Sequence, residues 1–141
     1  MIDQVTVFLE NSEGRLAAMC RCLADANVNM KALTIAESSD FGLVRIVCAD
    51  PQDAVAALNE GDFRASTTKV SAIAVPDRAG GLADLMNVLD DMDLNIEYGY
   101  CFIMGDSAVD VFKINGDADA ATAAFKLEES GFKVLKQADL A

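Results

Sequence analysis

Two asparagines, Asn29 and Asn95, stand 66 residues apart in matching contexts, ANVNMKAL and MDLNIEYG. A neutral amide presents a donor and an acceptor together, so one such side chain can serve both the ammonium and the carboxylate of a zwitterion. Asparagine is disfavoured at the start of a strand among apolar neighbours. A side chain that closes a local turn accounts for the residue type equally well. Each asparagine follows a helix whose own entrance carries glycine, in ENSEGRL (Glu10 to Leu16) and PDRAGGL (Pro76 to Leu82). Free N–H groups at a helix N-terminus suit a small carboxylate, and Gly14, Gly80 and Gly81 would let a ligand approach the backbone closely. Ordinary turn and capping chemistry explains the same glycines. Taken together, loop and asparagine outline a zwitterion pocket beside each helix start.

Other chemistries are poorly supplied. The chain has no histidine, which removes His-based triads, His metal sites and the commonest general base. Its four cysteines, at 20, 22, 48 and 101, show no CxxC spacing and read as buried small hydrophobes of a reducing compartment. A formal net charge of −12 argues against nucleic acid and against anionic membrane surfaces. No apolar run approaches the roughly 18–20 residues that span a bilayer. The N-terminus MIDQVTVFLENSEG lacks a basic n-region, so no signal peptide is expected and the cytoplasm is the expected location. No cofactor and no metal site is expected.

The elements that must position these residues come in two copies. Sliding the sequence by 66 lays GRLAAMCRCLADANVNM over GGLADLMNVLDDMDLNI. Leu16, Met19, Cys20, Leu23 and Ala26 fall on Leu82, Leu85, Met86, Leu89 and Met92, twice giving the apolar face of a helix. Val5, Val7 and Leu9 before the first helix, and VSAIAV before the second, read as strands. LTIAE and FGLVRIVCA form a strand pair in the first copy, YGYCFIM and AVDVFKI in the second. Ser38-Ser39-Asp40 and Gly105-Asp106-Ser107 serve as their hairpin turns. Asp50-Pro51 opens a helix ended by Gly61, with Asp50 as N-cap. Its counterpart opens at Asn115-Gly116-Asp117, runs about one turn longer through Glu129, and closes at Gly131. Phe63 to Val70 and Phe132 to Lys136 supply the closing strands. Each copy is thus βαββαβ, an α+β fold of ferredoxin-like type with both helices on one face of an antiparallel sheet. The expected domains are 1–69 and 70–141, with Thr67 to Val75 as one strand shared between them and no slack linker.

The strand, the N-x-x-G or D-x-x-G-x-L loop, the amphipathic helix and the V-N-M or L-N-I that follows resemble the ACT domain. The whole chain is similar to a tandem ACT pair. PDRAGGLADLMNVLDDMDLNI is the closer match; NSEGRLAAMCRCLADANVNM resembles the version in the regulatory domain of phosphoglycerate dehydrogenase. In that version the loop asparagine and the second-strand asparagine hold the amino-acid effector. The resemblance places those roles on Asn11 and Asn29, with Asp77 and Asn95 in the second copy. The ligand-binding candidates are Asn11, Ser12, Gly14, Arg15, Leu16, Asn29, Met30, Asp77, Gly80, Gly81, Leu82, Asn95 and Ile96. Glu13 departs from the family, which often has Pro there; Arg15 is placed either to offset its charge by pairing with a ligand carboxylate or to form a surface ion pair. Tyr98, Tyr100, Phe41 and Met30 read equally as pocket lining and as core or sheet-face residues.

The resemblance implies a sensor that binds a free amino acid between paired ACT domains, forms a homodimer and modulates a partner enzyme or regulator. No catalytic domain is attached, so stand-alone tandem proteins of the glycine cleavage repressor type are the nearest analogy. The alternative is a ligand-independent regulatory or structural subunit. Catalysis is a third class, disfavoured by the missing histidine and the lack of a basic phosphate loop.

Overall fold

The computed structural model describes every residue except Asn11 and 38–40, and describes only the backbone of Glu37, Phe41, Asp117 and Ala118. The expected turn Ser38-Ser39-Asp40, the candidate Asn11 and the Phe41 side chain therefore lie outside the described residues. Along the chain run β1 (Ile2–Glu10), α1 (Arg15–Asp25), β2 (Met30–Glu37), β3 (Phe41–Cys48), α2 (Pro51–Glu60), β4 (Arg64–Pro76), α3 (Gly81–Asp90), β5 (Ile96–Met104), β6 (Ser107–Ile114), α4 (Asp117–Glu129) and β7 (Lys133–Val134). A short 3-10 turn, Gln137–Leu140, ends it. The chain divides into two compact units, Asp3–Thr68 with Leu140–Ala141, and Lys69–Asp139 with Met1–Ile2.

In the first unit the strand order is β2-β3-β1-β4. Val5 lies opposite Ile46 and Glu10 opposite Phe41. Val5, Val7 and Leu9 of β1, Val44 and Ile46 of β3, Met19 and Leu23 of α1, and Ala54 and Leu58 of α2 form one buried cluster. Because β1 and β3 send alternate residues into that cluster, both helices cover the same sheet face. Leu23 and Leu58 are fully shielded, and burial of each leucine contributes about 1.5–3 kcal/mol.

The second unit repeats the plan, with β6 and β7 flanking β4 and β5 outside β6. Ile73, Val75, Leu85, Leu89, Phe112, Ile114, Ala123 and Leu127 build its core. These are two ferredoxin-like α+β units, as the doubled periodicity implied. The 13-residue β4 is unbroken, as the Thr67–Val75 stretch suggested, and α4 is longer than α2, 13 residues against 10.

Several expectations need correction. The buried stripe of α1 is narrower than its apolar pattern: Met19 and Leu23 are buried, Cys20 is half-buried, and Leu16 and Ala26 are exposed. A first-turn side chain leans toward the helix N-terminus, away from the turns that pack. The closing strand of the second unit is shorter than Phe132 to Lys136: its ladder to β4 covers Lys133–Val134, and Leu135 N–H donates to the Ala72 carbonyl at 2.8 Å just beyond it. Asp50 stands at the N-cap of α2, yet its side chain makes no capping hydrogen bond. Of the four cysteines, all free, Cys48 is buried, Cys20 and Cys22 are half-buried and Cys101 is exposed. Cys101 sits on β5, an edge strand that the helices only partly cover. Among the described residues, no helix is long and apolar enough to cross a membrane.

Candidate functional site

Over their described residues the two glycine loops share one set of backbone hydrogen bonds and one cap conformation. Gly14 caps α1 at φ 85° and ψ −10°; Gly80 caps α3 at φ 87° and ψ −9°. In the first, Ser12 N–H donates to Glu10 C=O at 2.9 Å and Arg15 N–H to Ser12 C=O at 3.3 Å. In the second, Arg78 N–H donates to Pro76 C=O at 2.9 Å and Gly81 N–H to Arg78 C=O at 3.1 Å. A left-handed φ at the cap is where glycine is needed, since a Cβ there is strained. Gly81 is required for a second reason: a Cβ on it would stand 2.5 Å from the Pro76 carbonyl oxygen. The inward amides of Arg15 and Gly81 are thus spent on the loop itself. Ser12, Gly14, Asp77 and Gly80 are exposed, and Leu82 is half exposed.

Arg15 does not reach toward the loop. Its guanidinium lies 4.3 Å from the centroid of the Phe63 ring, and its Nε is buried without a hydrogen-bond partner. Stacking on an aromatic face is a favourable use of a guanidinium. In the second copy Arg78 is tied to Asp84 Oδ2 at 2.9 Å and to the Ala79 carbonyl at 3.0 Å.

The asparagines stand elsewhere. Met30, which follows Asn29, lies opposite Cys48, whereas Glu37 at the far end of β2 lies opposite Gly42. Glu10, which leads into the first glycine loop, lies opposite Phe41. Asn29 and Gly14 are therefore at opposite ends of the first unit, separated by an 8-residue strand. At about 3.3 Å per residue that is roughly 25 Å. The second unit agrees: Pro76 lies opposite Ser107, while Ile96 lies opposite Ile114. The reading that places each asparagine beside its own helix start is overturned. Strand, helix and next strand each cross the unit once, so the turn after the helix returns to the end where the first strand began.

Asn29 does line a pocket, of about 230 Å³, together with Asn27, Val28, Lys31, Asp50 and the C-terminal Ala141. An amide, an ammonium and a carboxylate surround it, which is the set a zwitterion needs. Lys31 and Asp50 were not legible as partners, because only the β2–β3 register brings Met30 to Cys48 and so Lys31 near Asp50. Met30 and Ile96 are half-buried and pack against the cores of their units. Ile96 also borders a cleft with Met86, Asp90 and Leu94. Tyr98 and Tyr100 are half-buried on β5, on the sheet face turned away from Phe112 and the core.

Two ferredoxin-like units, each entered through a left-handed glycine at the first helix, define the class of this protein. Residues 1–139 match the family model described as an ACT domain pair, and the chain belongs to that family. The crystal structure of a Bacteroides thetaiotaomicron protein is similar at 34% identity, with a TM-score of 0.89 over 99% of this chain and 94% of that one. The ligand-free regulatory subunit of aspartate kinase from Thermus thermophilus, 13% identical, gives a TM-score of 0.65 over 91% of each chain. E. coli aspartokinase III in complex with lysine and aspartate, 19% identical, gives 0.53 over 91% of this chain and 31% of that one. The last two share the fold alone. Among curated proteins, none matches the chain.

Proposed function

We propose that this ACT domain pair is a regulatory protein that binds a free amino acid and modulates a partner protein. The observation that carries the reading is the Asn29 pocket, where Lys31 and Asp50 supply opposite charges around an amide. In this reading Lys31 pairs the ligand carboxylate, Asp50 its ammonium, and Asn29 bridges them. The fold supports the role, since it serves as a regulatory subunit of aspartate kinase in Thermus thermophilus. We read the chain as a sensor rather than a catalyst. We infer a homodimer as the working assembly, the association that the resemblance to paired ACT domains implies. A ligand acts on such an assembly only through its different affinity for two packings, and roughly 1–3 kcal/mol of coupling suffices for regulation.

Calorimetric titration of the full chain against each proteinogenic amino acid tests this. One or a few should bind saturably, and Asn29→Ala with Lys31→Ala should weaken that binding about tenfold or more. Uniformly absent heat and no thermal shift would sink the proposal and favour a ligand-independent subunit.

A further inference from the structure

The two units are built to one plan, so places where equivalent core positions differ in chemistry stand out. Leu33 pairs with Ile46 in the first unit, and Ile35 with Val44. The matching pairs of the second unit are Gly99 with Phe112, and Cys101 with Asp110. The first exchange conserves volume. A Cβ on Gly99 would stand 2.5 Å from the Phe112 ring, so the larger aromatic occupies the space that leucine fills in the other copy. The second exchange does not. It replaces a wholly apolar pair by a thiol and a carboxyl.

Asp110 is only 5% exposed, its Oδ2 is shielded from solvent, and that oxygen has no hydrogen-bond partner. A buried acceptor left unmade carries a desolvation cost of about 1–3 kcal/mol. Nothing in the fold asks for it, because Val44 fills the same position in the first unit with no exposure at all. Asp110 lines a cleft of about 300 Å³ between α3 and the β5–β6 pair, walled by Leu82, Met86, Cys101 and Phe112. The walls are apolar, and no lysine or arginine lines the cleft.

We propose that this cleft is a binding site for a small organic cation, a primary ammonium group carried on an apolar body. The ammonium meets the Asp110 carboxylate at the floor, and the apolar body lies against Leu82, Met86 and Phe112. A mostly apolar cavity with one convergent polar group is the usual form of a small-ligand site. Because no cation lines the walls, nothing there neutralises a ligand carboxylate, so an amine is favoured over the amino acid of the same side chain. The net charge of −12 raises the local concentration of cations in the same sense. This site is separate from the Asn29 pocket and stands whether or not that pocket binds an amino acid.

The test uses the full chain, with 3-methylbutylamine and 2-phenylethylamine as probes and the matching alcohols, leucine and phenylalanine as controls. Calorimetry should show saturable binding of the amines, weaker by about tenfold or more for the alcohols and amino acids. Asp110→Asn should weaken amine binding by a similar factor. The double variant Cys101→Ile with Asp110→Val copies the packing of the first unit, so it should fold and should lose amine binding altogether. No saturable amine binding by the native chain overturns the proposal. So does amine binding that survives unchanged in the double variant, or amino-acid binding that is as tight as that of the amines and is lost in Asp110→Asn. An amino-acid response that persists in Asp110→Asn belongs to another site and leaves the assignment of this cleft to amines intact.

Discussion

Asn115 donates its backbone N–H to the carbonyl of Asn95 at 3.0 Å, tying the start of β5 to the end of β6. At the other end of the same unit, Asp77 N–H reaches the Asp106 carbonyl at 3.4 Å. Loop and asparagine are thus anchored at different ends with no shared partner. Asn95→Ala and Gly80→Ala should therefore be additive in stability to within about 0.5 kcal/mol. Urea denaturation of the two single variants and the double variant measures this. A larger coupling would show that the two ends share structure after all.

The glycines that enter the helices should differ in cost. Gly14 has φ +85°, but a Cβ placed on it would meet nothing within 4 Å, so Gly14→Ala should cost about 1–2 kcal/mol from left-handed strain alone. Gly81 faces the Pro76 carbonyl oxygen, 2.5 Å from where its Cβ would stand, so a side chain there forces the backbone to move. Gly81→Ala should cost more, about 1–3 kcal/mol with a shift of the loop itself. Equal melting temperatures for the two variants would contradict the geometry.

Thr6 Oγ1 and Thr68 Oγ1 lie 2.9 Å apart, and Thr6 Oγ1 also stands 3.0 Å from the Gln4 amide nitrogen, which donates to it. Gln4 is fully buried. Thr6→Val should destabilise by about 1–3 kcal/mol, because it removes the acceptor of a buried amide. Thr68→Val should cost about 0.5–1.5 kcal/mol, the net worth of one hydrogen bond. In the double variant the second change should add little, since the hydroxyl pair is already broken. A double-mutant cycle in denaturant reads that coupling directly.

Much of this architecture was legible because the pattern repeats. Met19 and Leu23, one turn apart, reappear as Leu85 and Leu89, and both pairs are buried. Two copies of one spacing also make the βαββαβ order readable twice, and the strand-like run before Pro76 did prove continuous. What escaped was set by tertiary pairing. The bearing of Asn29 on Lys31 and Asp50 depends on how β2 pairs with β3, which no local pattern prints. The end of the sheet at which an asparagine lies follows from counting chain crossings, and adjacency in sequence misleads there. Asp110 was missed because AVDVFKI alternates like a strand with one wet face, whereas Val109, Asp110, Val111 and Phe112 are all buried. The available signal was the repeat itself, which lays Asp110 on Val44.

Burial raises the pKa of the Asp110 carboxyl above its ordinary value of 3.8. The charged form is the one that loses water, so the folded state holds the proton more tightly than the unfolded chain. Below the ordinary value both states are protonated and the fold carries no charge penalty from this group. As pH rises, the unfolded chain ionises first. Stability is lost through the interval between the ordinary and the raised value, then stays level above it. Besides Asp110, the cleft is lined by no carboxylate, lysine or arginine; Cys101 and Tyr100 are its other polar side chains. Ile73, opposite Asp110 on β4, and Leu82 and Met86 on α3 bring no charge. Asp110→Val should therefore remove this loss on the alkaline side and stabilise the protein near neutral pH by about 1–3 kcal/mol. Urea midpoints of the native chain and the variant, compared from acid to neutral pH, should converge at the acid end and part as pH rises. Parallel profiles would mean that the carboxyl is solvated in the folded protein, and would remove the unmet acceptor on which the amine site depends.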